Sequence, residues 1–299
     1  MDSIIELLET HGPLTGKELH EKSVIEPFKL WKRCNQSASI VTQTIGTRYL
    51  RLSKSVSGYA RLSPSILREF YNYAVIGLKT QTKEIKAKAK QLEQSVNEIS
   101  KAKKEIAKDI IKKIVDSQSE RKAIIENACF MISGDVVYNM SHLEPRPESS
   151  TGKMVNGSDL DIVVIYKDLP EEIIEKLDMA IYEQKAFLLM NPGYREEIDY
   201  VIKNVLKVEK DLKFIDFNSM VASKILDEGK FLLGSALLFS EVKKMIDYSG
   251  VPEKLFSLKE RALIERENAR EILLAFDDAD IDTETMHLFY TNEETEEFF

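Results

Sequence analysis

The chain has 299 residues, 43% of them apolar, which suits real hydrophobic cores and about two domains. Its 42 Lys and Arg against 50 Asp and Glu leave a net charge of −8, and two isolated cysteines, Cys34 and Cys129, argue for reduced thiols and against a disulfide framework or a cysteine metal site. No uninterrupted apolar stretch approaches the ~20 residues of a membrane span, and the acidic, amphipathic residues 1–9 lack a signal peptide's basic start. The expectation is a cytoplasmic protein with no membrane partner.

Residues 2–10 place Ile4, Ile5, Leu7 and Leu8 on one side of a helix that Gly12-Pro13 ends. Thr15, with Glu18 three residues on, predicts a capping box for a second helix. A third helix follows around residues 26–33, with Trp31 as its core anchor. Three β-rich pieces come next, at 39–44, 49–52 and 59–62, punctuated by Gly46 and Gly58. Three short helices and a β-ribbon resemble a winged helix-turn-helix over residues 1 to about 70, in a domain taken as residues 1–76. That resemblance implies a nucleic-acid partner, with Lys29, Lys32 and Arg33 near phosphates or base edges and Arg48 and Arg51 bracing the backbone. Residues 28–68 carry eight basic side chains and no acid, which points the same way. A protein-docking module is the alternative.

From Leu78, apolar residues return every seven positions, at Ile85, Leu92, Ile99 and Ile106, and no Gly or Pro interrupts residues 78–133. This predicts a long helix, with a break near Ser117, Gln118 and Ser119. Eleven lysines against five acids between Lys79 and Lys113 make residues 77–122 a basic linking helix. Its seam could form a homodimer, pack on its own domain or serve as a stiff spacer.

The apolar residues 129–132 run into Ser133-Gly134, a strand followed by a tight turn and a short helix. Glycine there lets the backbone approach a phosphate, and a helix N-terminus offers free N–H groups. Residues 144–153, with Pro145 and Pro147, read as an exposed loop, either an insertion that offers Arg146 and Lys153 to phosphate or an ordinary surface excursion, the second being preferred for Arg146 and neither for Lys153. Ser158-Asp159-Leu160-Asp161 then leads into the apolar residues 162–166. Carboxylates two apart on a strand share a face and repel, and a divalent cation is the natural way to keep both ionised. In the strand-like residues 196–202, Asp199 is the first choice for a third carboxylate and Glu197 the second.

Strand, Ser-Gly turn, Asp-x-Asp strand and later carboxylate resemble the polymerase-β-like nucleotidyltransferase superfamily over roughly residues 123–240. The resemblance implies a palm with a mixed sheet over residues 123–215. It also implies that Asp159, Asp161 and Asp199 hold two Mg2+ ions, with Mn2+ as a substitute. Ser133 and Gly134 then line the triphosphate of an NTP, with Ser158, Lys153 and Lys224 as further nucleotide-binding candidates. Residues 216–275 read as a C-terminal helical region carrying Lys224 and Lys230. The tail, 276–299, holds nine acids and neither Lys nor Arg; it reads as frayed unless Phe289, Tyr290, Phe298 and Phe299 dock.

The expected fold class is therefore α+β and multidomain: winged helix, long helix, palm, C-terminal helices. The expected function is transfer of a nucleoside monophosphate to a hydroxyl of a nucleic acid, nucleotide or protein. A non-catalytic, nucleotide-sensing DNA-binding regulator is the alternative, favoured by Asp135, which follows the glycine where the family usually has a small or hydroxyl residue.

Overall fold

A computed structural model describes residues 2–148, 151–276, 283–291 and 294. The order is α1 (Asp2–His11), β1 (Leu14–Thr15), α2 (Gly16–Ser23), α3 (Pro27–Gln36), β2 (Ile40–Thr44), β3 (Tyr49–Leu52), β4 (Ala60–Ser63), α4 (Ile66–Asn72), β5 (Ala74–Leu78) and the 35-residue α5 (Thr82–Asp116). There follow α6 (Arg121–Asn127), β6 (Ala128–Ile132), a 3-10 turn (Gly134–Tyr138), β7 (Pro145–Pro147), β8 (Met154–Asn156), β9 (Leu160–Tyr166), α7 (Glu171–Met190) and β10 (Ile198–Asn204). The chain continues through α8 (Val205–Asp211), α9 (Phe217–Glu228), β11 (Lys230–Gly234), α10 (Ala236–Tyr248), α11 (Val251–Ala275) and α12 (Thr283–Met286). It divides into two compact units, Met1–Val96 with Lys259–Phe299, and Asn97–Leu258. No helix among the described residues is long and apolar enough to cross a membrane.

In the first unit the capping box forms as predicted: Glu18 N–H donates to Thr15 Oγ1 at 3.2 Å and Thr15 N–H to the Glu18 carboxylate at 2.7 Å. Pro27 opens α3 behind Glu26, whose carboxylate accepts from the N–H groups of Phe28 and Lys29. Trp31 is a buried core residue, as expected. The ribbon differs. Among the described residues, strands β3 and β4 pair only with each other, whereas β2 pairs with β5 in a sheet ordered β1-β5-β2. Neither α4 nor β5 was expected. β5 is buried along its whole length, so it lacks the polar–apolar alternation that marks a strand with one wet face.

The acidic end is not frayed throughout. Phe289 is 0% exposed, meets Phe28 edge-on at 5.3 Å and lies 5.4 Å from Trp31, while its carbonyl accepts from Leu67 N–H at 3.0 Å. Burying one aromatic ring outweighs the solvation preference of the acids around it. Phe298 and Phe299 lie outside the described residues.

The long helix ends at Asp116, beside the predicted break. Part of its apolar face packs within the chain: Ile85 and Ala89 on Val75 in the first unit, and Ala107, Ile110, Ile111 and Ile114 in the core of the second. That leaves these residues unavailable to a homodimer seam.

The second unit is built on a mixed sheet ordered β10-β9-β6-β11, with β10 parallel to β9 and the other pairs antiparallel. The parallel pair needs a crossover, which α7 supplies. β11 falls where the sequence predicts helix. Phe231-Leu232-Leu233 is locally ambiguous, and pairing with β6 decides it.

Cys34 and Cys129 are both buried, and burial pushes each thiol up to about 12. Since only the thiolate attacks a disulfide reagent, the native protein at pH 8 is expected to leave both unlabelled by Ellman's reagent. Unfolding in denaturant should release two equivalents. Fast labelling of either thiol in the native state would contradict the packing described for its segment.

Candidate functional site

The parallel register of β9 and β10 sets Asp161 opposite Asp199, on strands whose spacing is about 4.8 Å. Asp159 stands two residues ahead of Asp161, just before β9 begins. Across the sheet, β6 ends in the turn at Gly134, whose φ is +69°, and a Cβ there would overlap the Asp161 carboxylate. Only glycine lets the turn press this close. Ser133 is buried, and its N–H donates to the Asp161 carbonyl at 3.0 Å.

Two nucleotide-binding candidates converge on one carboxylate. Gly134 N–H donates to Glu228 Oε1 at 3.2 Å, and Lys224 Nζ lies 2.5 Å from Glu228 Oε2. Lys224 also sits 5.4 Å from the centre of the Tyr138 ring. Thus the turn and the helix α9 already enclose an anion, supplied by the chain itself. Lys230 is turned elsewhere, donating to the Val137 carbonyl at 2.9 Å.

The other acids are matched one by one. Arg146, read from sequence as a surface side chain in a loop, lies on β7 of a β7–β8 hairpin and is only 15% exposed. Its guanidinium is paired with both Asp159 and Glu197, at 2.8 Å from Glu197, and its Nε donates to the Gly157 carbonyl at 2.9 Å. Lys185 on α7 pairs with Asp199 at 2.9 Å, where Asp199 remains 54% exposed. Ser158 is buried; its hydroxyl donates to Asp135 at 2.7 Å and accepts from His142 N–H at 3.2 Å. Lys153 is exposed and donates to the sulfur of Met190, so no carboxylate of the group draws it in.

Next to Glu197, Glu196 forms a buried ion pair with Lys103 of α5 at 2.7 Å, and Lys103 also donates to the Asn156 carbonyl at 2.8 Å. Burial pushes the Glu196 carboxyl up and the Lys103 ammonium down, and each partner opposes the other's shift. Burial likewise raises Glu197, Arg146 pulls it back, and Asp199 and Glu148 push it up again.

The sequence offers Arg146 as a phosphate contact but favours a surface reading, while Lys185, Lys103 and Glu228 were missed as site residues. Nothing in the sequence near the Asp-x-Asp motif signals them, because Lys103 and Glu228 are recruited from helices far along the chain.

Oxygen donors of this kind suit a hard divalent cation such as Mg2+. Among the described residues, no three His, Cys, Asp or Glu side chains are gathered to hold a metal. Asp159 and Asp199 are engaged by Arg146 and Lys185. The donor chemistry fits the ion, and the grouping requires those two basic side chains to let go.

In the first unit, Lys29 and Arg51 are exposed and Arg33 half-buried. Two expected nucleic-acid contacts are engaged within the unit itself. Lys32 is buried with its amine on the Phe276 carbonyl, and Arg48 grips Glu69 at 2.5 and 2.9 Å and Glu267 at 3.2 Å. The acids missing from residues 28–68 arrive from α4 and α11, so the charge asymmetry of the sequence is partly cancelled in space.

Comparison with known proteins finds no matching protein family, curated protein or solved structure.

Replacing Lys103 by Met would strand a buried Glu196, at an expected cost of about 3–5 kcal/mol in denaturant unfolding. Glu196→Leu in the same chain should recover much of that loss. A single-variant cost below about 1 kcal/mol would show that the pair is solvated rather than buried.

Proposed function

We propose that this chain is a Mg2+-dependent nucleotidyltransferase that moves a nucleoside monophosphate from an NTP to an acceptor hydroxyl. The observation that carries the reading is the register of Asp161 with Asp199, with Asp159 two residues upstream and the Gly134 turn against the same carboxylate. The shared grip of Gly134 N–H and Lys224 on Glu228 adds support, since a phosphate oxygen makes the same demands as a carboxylate oxygen.

Asp159, Asp161 and Asp199 would hold the ions, whose chemistry is to neutralise phosphate charge and make the acceptor oxygen more acidic. The acceptor oxygen bonds to the α-phosphorus, the bond from that phosphorus to the bridging oxygen breaks, and pyrophosphate leaves. The acceptor's proton passes to Asp199, the most exposed of the strand carboxylates, or to Glu197 beside it. Burial raises the Glu197 carboxyl from its ordinary value, which makes its carboxylate the more basic proton acceptor. Gly134 and Lys224 would orient the triphosphate by giving up Glu228. The acceptor is a nucleic acid, a nucleotide or a protein side chain; for a nucleic acid, Lys29, Arg33 and Arg51 remain the candidates on the first unit.

A second reading is favoured by the pairing of Asp159 with Arg146 and of Asp199 with Lys185. Cations that stay in place would leave a domain that binds nucleotide without turnover, as a sensor attached to a DNA-binding front.

Incubation with each α-labelled NTP and Mg2+ or Mn2+, followed by separation of nucleic-acid, protein and small-molecule products, is expected to yield label transfer. Asp161→Asn should reduce it to background. Mg2+ and a non-hydrolysable NTP should raise the melting temperature together by more than the sum of their separate effects, and Asp161→Asn should abolish that excess. Excess stabilisation without product from any acceptor would identify the sensor. Additive shifts without product would remove both readings.

A further inference from the structure

The first unit contains a cavity of about 170 Å3 beside Trp31, bounded by α3, β2, α4 and α11. One wall is apolar, formed by Trp31, Ile66 and Phe70, and the other presents Thr42, Arg48 and Arg270. Among the described residues, the charges that line it do not balance. Glu69, 4% exposed, is approached by three guanidinium groups: Arg48 at 2.5 Å, Arg270 at 3.6 Å and Arg266 at 3.7 Å. The second acid, Glu267, has a side chain 61% exposed and lies 3.2 Å from Arg48. Among the residues that line the cavity, two cations, Arg48 and Arg270, therefore face one carboxylate, Glu69.

A second observation concerns hydrogen bonding. Arg266, 8% exposed, donates through Nη2 to the carbonyls of Leu62 and Pro64, while its Nη1, behind the cavity lining, faces the Glu69 carboxylate at 3.7 Å without a hydrogen bond. Thr42 Oγ1 on the cavity wall is buried without a hydrogen-bond partner. Buried polar groups are normally satisfied, and buried cations are normally paired. Burial pushes the Arg266 guanidinium down to about 10; Glu69 offsets part of this, and Arg48, Arg270 and Arg61 add to it.

We propose that this cavity binds a small monocarboxylate with an apolar body, the carboxylate facing Arg48, Arg270 and Thr42 and the body lying against Trp31 and Phe70. A single negative charge completes the balance of the two lining cations and one acid. A phosphate dianion would overshoot it and leave the apolar wall without a partner. An apolar cavity of about 150 Å3 accommodates benzene, so a ligand of about six to nine non-hydrogen atoms is the right size. The site lies within the first unit and does not depend on the carboxylates of the second.

Trp31 is the only tryptophan of the chain and the Arg270 guanidinium lies 5.8 Å from its ring, so intrinsic fluorescence reports on this cavity alone. Titrating the full chain with benzoate is expected to give a saturable change in Trp31 emission and a rise in melting temperature. Benzamide, the uncharged isostere, should bind at least about tenfold more weakly, and inorganic phosphate should not displace benzoate. Arg270→Gln should weaken benzoate by a similar factor. No saturable change with benzoate up to about 20 mM would overturn the proposal. So would equal binding of benzoate and benzamide by the unmodified protein, or phosphate binding more tightly than benzoate, and these three results do not depend on how the variant folds.

Discussion

The parallel pairing of β10 with β9 is the constraint on which the second unit depends. It places Asp199 beside Asp161 and, together with the antiparallel pairing of β6, brings Gly134 against the same carboxylate. Neither contact is local: the partners come from strands separated by the hairpin β7–β8 or by the helix α7. The sheet is held by a core that includes Phe130, Ile132, Ile162, Val164 and Ile198, covered by α5 and α7. Because side chains alternate along a strand, a slip of one residue in this register would turn the carboxylates away from one another.

Crowding acids at one end of a buried sheet carries a repulsive cost, and the chain meets it by individual pairing. Arg146 serves Asp159 and Glu197, Lys185 serves Asp199, Lys103 serves Glu196, Lys224 and Gly134 serve Glu228, and Ser158 serves Asp135. The pairs differ in burial. Lys103 and Glu196 are 1% and 7% exposed, so their separation leaves charge in a low dielectric, whereas Lys185 and Asp199 can part into water at small cost. The readily broken pair is the one on the proposed proton acceptor. The firm pair tethers α5 to the segment that enters β10.

In the first unit the comparable centre is Glu69. One buried carboxylate collects Arg48, Arg266 and Arg270, and so joins the ribbon, α4 and α11. Phe289 does the apolar equivalent by closing over Phe28 and Trp31. Phe289 brings acid-rich C-terminal sequence onto the basic front, and Arg48 meets Glu267 of α11 there. A run of positive charge in the sequence therefore does not translate directly into a positive surface.

What the sequence determined by itself was local. The capping box at Thr15 and Glu18, the long helix and its end near Ser117, the core role of Trp31 and the strand, turn and Asp-x-Asp order all follow from spacing over a few residues, where periodicity and capping chemistry act directly. Tertiary structure decided the rest. β5 and β11 became strands through pairing partners remote in the chain, and Arg146 left its exposed reading because Asp159 and Glu197 lie within reach only in the folded sheet. Lys32 and Arg48 turned inward because Phe276, Glu69 and Glu267 are placed beside them. Electrostatic pairing and strand pairing depend on distance in space, and residue order does not encode that distance until the chain has packed.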